Sequence, residues 1–518
     1  MDVAALLGAL PGRISDIPRR WADAAPHAVA LHEAGRSWRY GELWEAVQAT
    51  AQRLRVLGLR PGDRLMVVGE NCVVQVGLIF AAALCDAWIV NVNARLPARE
   101  IEQIQQHSGA RFTIYTCGVS PEAFGHGERV GAQLEESPLD ASWMVGPLNE
   151  ACEPEPVHAD GARQPAALIY TTGTTGQPKG VMLSHRNLLF IAAVSSRLRG
   201  LTPDDRAYGV LPISHVYGLA SVMLGTLYAG ASLHLVPRFS AEALLAALRH
   251  DGLTIVQGVP AMYARLLELL GGPSQPLATQ LRFIYAGGSP LSPTLKTEVE
   301  KLLGLPLHNG YGMTESSPTI SQTPLDAPRS DTSVGFAIPG VETRIVDEAG
   351  NDAAIGLPGE LWVRGPNIML GYYREPELTA AAMRPGGWLN TGDMARQEAD
   401  GALFIVGRTK ELIIRSGFNV YPLEVETVLN AHPAVTQSAV VGRPAQDGNE
   451  DVIAFVELDP RHTVRDDELR AWLARSLSPY KCPAEIVVLP ALPAAATGKI
   501  LKGQLRQLAQ KMPRSAHN

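Results

Sequence analysis

Apolar residues recur along this chain at two periods. Over 38–59, "WRYGELWEAVQATAQRLRVLGL", Leu43, Val47, Ala51 and Leu54 fall at helical spacing, and Gly58 follows as a helix stop. "DRLMVVG" (63–69) predicts a buried strand, "NCVVQVGLIFAAALCDA" a buried helix, and "WIVNVN" the next strand. The same rhythm returns at 232–236, 254–257 and 282–286. Strands alternating with helices predict largely parallel sheets joined by crossover helices. Residues 118–163, rich in Gly, Pro and Glu, read as surface connection, and no internal repeat is apparent.

Near residue 407 the texture changes. "GRTKELIIRSGFNVYPLEVETVLNAHPAVTQSAVVG" carries a turn, an apolar strand, a glycine kink and a short helix. "DVIAFVEL" (451–458) follows as a strand, "RDDELRAWLARSL" (465–477) as an amphipathic helix, "AEIVVLP" (484–490) as a strand, then a loop and a basic helix. This is an α+β unit of ordinary domain size. The expected division is a large unit over 1–407 and a small one over 408–518, with the boundary at Arg408–Lys410.

Composition narrows the class. A chain of 518 residues exceeds what one core supports. A net charge of −7 argues against a nucleic-acid partner. The cysteines are Cys72, Cys85, Cys117, Cys152 and Cys482, an odd number with wide spacing and no C-x-x-C. That fits a reducing cytosol rather than a disulfide framework or zinc site. The N-terminus lacks the basic start of a signal peptide, and the strongest apolar run, Val76 to Cys85, is too short to span a bilayer. A cytoplasmic protein without an integral membrane segment is expected; oligomeric state stays open.

The stretch 170–185, "YTTGTTGQPKGVMLSH", brings chemistry. Glycines allow close backbone approach. N–H groups and hydroxyls can then converge on phosphate oxygens, with Lys179 as a point charge. An ordinary hairpin loop is the plain alternative. It is not a Walker loop, because Lys179 is followed by Gly180 and the strand-like "VML". "HNGYGMTES" (308–316) sets Tyr311 between glycines, where an aromatic face can stack a purine, and adds Glu315, a hard oxygen ligand suited to Mg²⁺. "GWLNTGDMA" (387–395) places Asp393 in an expected strand-turn, where one carboxylate suits two ribose hydroxyls. "GRTKELII" (407–414) and "PAAATGKILKGQLR" (493–506) contribute Arg408 and Lys499. Singly, Tyr311 reads equally as core, Asp393 as a turn cap, Arg408 as a surface charge and Lys499 as a solvated lysine.

In this order the stretches resemble the adenylate-forming superfamily: acyl- and aryl-CoA synthetases, luciferases and peptide-synthetase adenylation domains. The similarity runs from "LRPGDRLMVV" to "TGKILKGQLR". It implies an α/β fold, with a large N-terminal domain of parallel or mixed sheets with crossover helices and a small mobile C-terminal α+β domain. It implies that Thr171, Thr172, Gly173, Thr174, Thr175, Gly176 and Lys179 hold the β- and γ-phosphates of ATP, with Thr174 and Lys179 counted as catalytic. "YAGGSPL" (285–291), with Gly287, matches the wall of the adenine and acyl sites. Asn309, Gly310, Tyr311, Gly312 and Thr314 match the family's nucleotide motif, with Tyr311 on adenine, Thr314 on phosphate and Glu315 on Mg²⁺. Asp393 and Arg408 match the ribose contacts, and Lys499 the lysine that assists adenylation. Lys410 matches the hinge, where many members carry Asp and some carry Lys, and Gly417 the tunnel for the CoA thiol.

The carboxylic acid is bounded by what the pocket segments carry. Amino-acid activators place an Asp in the segment matching "PISHVYGLASVML" (212–224), which here has no acidic residue. A buried ammonium without a partner is costly. His215 in that segment resembles the gating and carboxylate-side histidine of acyl- and aryl-CoA ligases, with a satisfied core histidine as the alternative. His215, Val216, Tyr217, Gly310 and Ser317 are the expected substrate contacts. Segments 212–224, 284–291 and 309–318 lack Arg and Lys, which disfavours a dicarboxylate such as malonate. Gly258, Ala286, Gly287, Gly310 and Ser317 leave room for a ring or a chain. A neutral-tailed acid, medium-chain fatty or aromatic, is therefore expected, with CoA as acceptor. A carrier-protein thiol is the alternative acceptor; a chain ending at Asn518 without a carrier domain favours CoA. A nucleotide binder without catalysis is opposed by intact Lys179, Glu315 and Lys499.

Overall fold

The structure, a computed structural model, describes residues 1–172, 178–272, 276–415, 418–445, 449–459, 462, 464–494 and 500–512. The runs read as buried strands and helices form as expected. Arg64–Gly69 and Trp88–Asn93 are neighbouring parallel strands, and Val73–Leu84 is the helix between them. Tyr40–Val56 is helical, while Trp38 and Arg39, the first two residues of the expected helix, close the strand Arg36–Arg39. Gly58, at φ 98°, adopts the left-handed conformation that ends the helical run.

Two large sheets sandwich a layer of apolar helices. One sheet runs in the order 336–337, 319–322, 307–312, 283–286, 255–258, 206–209, 232–235, 29–33, 36–39. Its centre is parallel and its ends antiparallel. The other runs 371–372, 178–184, 165–172, 88–93, 64–69, 112–115, 142–145, 133–136. Helix His185–Leu198 packs on 165–172 and 178–184, and on its other side against 217–224 and 225–228, which meet the first sheet. Burial on both sides explains why its residues are apolar nearly all round. Ser184 caps this helix by accepting from the Asn187 N–H, and the Asn187 amide donates to Pro366 O at 2.7 Å and Ile368 O at 3.0 Å.

Three findings depart from the expectations. Residues 118–163 are not only connection: they hold helix Pro121–Arg129 and strands Gln133–Glu136 and Ser142–Val145, which extend the second sheet at its edge. Strands Glu342–Val346, Gly359–Arg364, Met383–Arg384, Trp388–Gln397 and Leu403–Arg408 make a wholly antiparallel sheet. Asp393 therefore lies inside a strand and not in a turn. Beyond 412, Val435–Pro444, Glu450–Leu458 and Glu485–Val488 form a sheet flanked by helices Pro422–Asn430, Asp466–Ala474 and Lys502–Lys511, the expected small α+β unit.

Two buried histidines are held neutral. The Nδ1 of His185 accepts the Ile14 N–H at 3.2 Å, and burial lowers its pKa to about 3. Burial, followed by the Lys296 charge, lowers that of His308 to about 4. The unfolded chain takes up these protons near the ordinary 6.5 and the folded chain does not. Their contribution is thus complete above pH 6.5 and is lost as pH falls from there towards the folded values. Urea unfolding is expected to show about 1 kcal/mol lost per histidine between about pH 7 and about pH 5.5. The loss should shrink in His308→Gln; a variant with the same pH dependence as the parent would remove His308 from this account.

Candidate active site

The stretch 170–185 is a hairpin. Pro165–Thr172 and Pro178–Ser184 pair antiparallel, with Thr171 opposite Lys179. Thr171 and Lys179 are half-buried at its described end. Gly173, Thr174, Thr175 and Gly176 lie outside the described residues, as does the side chain of Thr172.

Strand Gly371–Tyr372 adds to the same hairpin, with Tyr372 opposite Val181. The Tyr372 ring lies 5.6 Å from the Lys179 ammonium, and its hydroxyl donates to Glu315 Oε1 at 2.8 Å. Burial and then the Glu315 carboxylate push the Tyr372 pKa well up, so it stays a donor. Glu315 sits on the short helical turn Thr314–Ser316, followed by Ser317 in the left-handed region and Pro318. The turn is braced from 366–369: the Asn367 amide donates to Ser316 O at 3.1 Å and Thr319 O at 3.0 Å, and the Met369 N–H to Glu315 O at 2.9 Å.

A second cluster lies beside it. The Tyr311 hydroxyl donates to Asp393 Oδ2, and Arg408 Nε meets Asp393 Oδ1 at 3.0 Å across the pairing of 388–397 with 403–408. The partial desolvation of Arg408, whose side chain stays 47% exposed, works against its charge, but Asp393, then Glu411, Tyr311 and Glu315, outweigh it and raise its pKa. Burial and Asp393 likewise push the Tyr311 pKa far up. Glu315 thus lies within electrostatic reach of both clusters.

The glycines between them are demanded by space. A Cβ on Gly310 would overlap the Tyr285 hydroxyl and close to 2.7 Å from Ser321 O. One on Gly312 would overlap Pro318 O. One on Gly287 would touch Tyr285 at 3.3 Å and Tyr217 at 3.4 Å, so Gly287, Gly310 and Tyr217 converge on Tyr285. Val216 and Tyr217 are buried where the π-helix Tyr217–Leu224 begins. Half-buried His215 stands beside them, its Nδ1 accepting the Tyr217 N–H at 3.2 Å. Thr314 and Ser317 are buried under the turn. The Asn309 amide is committed to the backbone, donating to Thr332 O and Ser333 O at 3.1 Å each. Lys410 is exposed on the turn Thr409–Glu411. Gly417 and Lys499 lie outside the described residues; Ala494 and Ile500, on either side of the Lys499 segment, bridge to each other.

Reasoning from sequence missed Tyr372 and Asn367. Their signal was the glycine-led aromatic pair in "GYYREPEL" and the lone amide in "GPNIML".

Two sandwiching sheets, an antiparallel third and a small α+β unit, with a lysine, a carboxylate and a tyrosine–aspartate–arginine chain drawn together, define an α/β nucleotide-enzyme architecture. The chain belongs to the AMP-binding enzyme family: that family's model matches residues 18–373, and the AMP-binding enzyme C-terminal domain matches 424–499. It is 35% identical over 493 residues to a feruloyl-CoA synthase of Amycolatopsis sp, covering 95% of this chain and 98% of the relative. Among solved structures, ATP-bound MatB from Rhodopseudomonas palustris is 30% identical with a TM-score of 0.85, covering 96% of this chain and 99% of that one. O-succinylbenzoate coenzyme A synthetase from Bacillus subtilis, in complex with ATP and magnesium ion, is 29% identical with a TM-score of 0.80, covering 94% and 98%.

Space at Gly310 is testable. Gly310→Ala is expected to cost about 1–3 kcal/mol of stability, as overpacked sites do, and to lower acid-dependent ATP–pyrophosphate exchange at least about tenfold. Gly503→Ala, a position with nothing within 4 Å, should be neutral or slightly stabilising. Equal behaviour of the two variants would show that Tyr285 yields easily.

Proposed function

We propose that this enzyme is an AMP-forming acid–thiol ligase that joins a medium-chain or aryl carboxylic acid to CoA at the expense of ATP. What carries the reading is the meeting of Lys179, Tyr372 and Glu315 with the Tyr311–Asp393–Arg408 chain. Each of these except Tyr372 stands at a position of the family's motifs. The feruloyl-CoA synthase similarity favours an aromatic acid over a fatty one.

A carboxylate is a poor electrophile because oxide would have to leave. In the first half-reaction its oxygen attacks the α-phosphorus of ATP, the bond to the bridging oxygen breaks, and pyrophosphate departs. In the second, the CoA sulfur attacks the acyl carbonyl, the thiol proton is lost, and AMP leaves. Charge on phosphate oxygens is what the chain must hold. Lys179 provides fixed positive charge for the phosphates, with Thr171, Thr172 and residues 173–176 as hydroxyl and N–H donors. Gly287, Asn309, Gly310 and Gly312 shape the nucleotide and acyl slot, and Thr314 faces the phosphates. Asp393 takes the ribose hydroxyls with Arg408 holding it in place, and Tyr311 lies against adenine. Mg²⁺ fits Glu315, a single buried carboxylate of the sort that shares this ion with substrate phosphates, and would offset their charge. Val216, Tyr217 and Ser317 bound the acid, and His215 orients its carboxylate. Lys499 serves adenylation, Lys410 is the swivel, and Gly417 admits the thiol arm. The domain boundary is taken at Arg408–Lys410, a reading supported by the gap between the family-model matches that end at 373 and begin at 424. All five cysteines are free and no described helix is long and apolar enough to cross a membrane, which supports a cytoplasmic site of action.

Incubating the enzyme with ATP, Mg²⁺, an acid panel and either CoA or a carrier protein tests the reading; release of pyrophosphate and AMP with neither acceptor forming a thioester would end it. Lys499→Ala should lose acyl-AMP formation by several orders of magnitude, the scale of about 3–4 kcal/mol or more. It should convert supplied acyl-AMP to thioester at near the normal rate, and equal loss in both halves contradicts the role. Glu315→Gln keeps an oxygen for the Tyr372 hydroxyl but loses charge. Its activity should fall at least about tenfold and recover in part with excess Mg²⁺; unchanged metal dependence would refute metal binding there.

A further inference from the structure

Arg199 is a buried cation without a counter-ion. It closes helix His185–Leu198, and its side chain is 0% exposed. Arginine keeps its charge in any protein environment, so burial cannot be relieved by losing a proton. Its Nη1 donates to Gln257 Oε1 at 2.6 Å and Ser221 O at 3.3 Å, and its guanidinium lies 4.8 Å from the centre of the Tyr285 ring. Its Nε and Nη2 make no well-formed hydrogen bond among the described residues, where the Tyr285 hydroxyl is the polar group beside the guanidinium and no carboxylate forms an ion pair with it. An unpaired buried charge is among the costliest features a fold can keep.

Its surroundings are the acyl slot. Ser221 belongs to the π-helix that starts at Tyr217, Gln257 to the strand Ile255–Gly258, and Tyr285 to the strand that leads into Gly287. Tyr285 also fills the space over Gly310. The Arg199 guanidinium therefore lies against the ring on which Tyr217, Gly287 and Gly310 converge. The nearby unpartnered polar atoms share one character: Arg199 Nε and Nη2 and Gln257 Nε2 can only donate, and the Tyr217 hydroxyl can donate. A surplus of buried donors is a site for an acceptor.

We infer that Arg199 anchors the far end of the acid, and that the preferred substrate carries an oxygen acceptor there, opposite the carboxyl that is activated. The inference rests on the proposed ligase reading and deepens its substrate class. A neutral oxygen (hydroxyl or carbonyl) and a second carboxylate present the same acceptor chemistry. Specificity of this kind discriminates strongly, because the analogue lacking the oxygen leaves the buried donors unpaired.

The test uses two frames with three ends each: cinnamic acid with its 4-hydroxy and 4-carboxy derivatives, and octanoic acid with 8-hydroxyoctanoic and octanedioic acids. Binding is read by calorimetry, and turnover by acid-dependent AMP release with CoA. Wild-type enzyme should prefer an oxygenated acid over its plain parent in at least one frame, on the order of 10- to 100-fold. The hydroxy and carboxy arms report which oxygen it is. Arg199→Met should collapse that ratio towards unity while retaining the plain acid. Arg199→Lys should keep part of the ratio, and it carries the variant arm if Arg199→Met does not fold. Absence of a wild-type preference in both frames overturns the inference without any variant. So does an equal loss for plain and oxygenated acids in the variants, which marks Arg199 as structural. Preferential binding without thioester formation would keep Arg199 as the anchor and instead remove the ligase reading.

Discussion

The carboxylate of Asp393 is the point on which the site depends. It receives a hydrogen bond from Tyr311, at the end of the large mixed sheet, and an ion pair from Arg408, at the end of the antiparallel sheet. Tyr311, 82 positions away in sequence, is thereby fixed to the paired strands that carry Asp393 and Arg408. The pairing also makes the burial of Asp393 tolerable: it is 5% exposed, and a lone carboxylate there would carry the desolvation cost uncompensated. Removing either partner would leave the other charge or hydroxyl stranded, so the three behave as one unit.

The same rule, that a buried polar group needs a partner, sorts the rest of the pocket. Glu315 has Tyr372 and a braced backbone, and Lys179 has the face of the Tyr372 ring. These are modest partners for charges that have work to do with a charged substrate, because a carboxylate saturated by cations would have no affinity left for a metal. Arg199 is the extreme case, with two nitrogens that make no well-formed hydrogen bond among the described residues. The fold tolerates the deficit where a substrate oxygen can supply what is missing, as strained or unsatisfied positions tend to gather at functional sites.

Much of the fold was legible because period alone decides it where burial is one-sided or complete. Val73–Leu84 and its two flanking strands are continuous apolar runs of the right lengths, and the small α+β unit shows the same clarity. Legibility failed where short-range signals mislead. Gln133–Glu136 is a largely exposed edge strand of polar residues, so neither period nor propensity marks it. Gly392, at φ 71°, looks like a turn and is part of a long strand. The motif residues could be named from their resemblance, but their partners could not. Tyr372 finds Glu315 across 57 positions of sequence, and Arg199 differs from Arg197 only in the direction it faces, yet one is buried and the other exposed.

The proposed swivel can be argued from the same accounting of charge. Lys502, on the last helix, is half-buried against Glu411 and Glu426 at 2.8 Å each, and these carboxylates outweigh the desolvation that would otherwise lower its pKa. Glu426 lies on the first helix of the small unit, so Glu411 is tied to that unit through Lys502. Arg408 is tied the other way, to Asp393. A rotation that preserved both sets of pairs would have to turn within Thr409–Lys410. Both residues are exposed, and among the described residues Lys410 makes no ion pair or side-chain hydrogen bond to either side. A rotation centred further along would pull Glu411 from the half-buried Lys502 ammonium, and one centred earlier would break the Asp393 unit on which nucleotide binding is proposed to rest. The cheapest place for two bodies to move is therefore the short exposed turn between two well-paired charges, and Lys410, rather than Arg408 or Glu411, is the residue that can change its backbone angles without stranding a buried group.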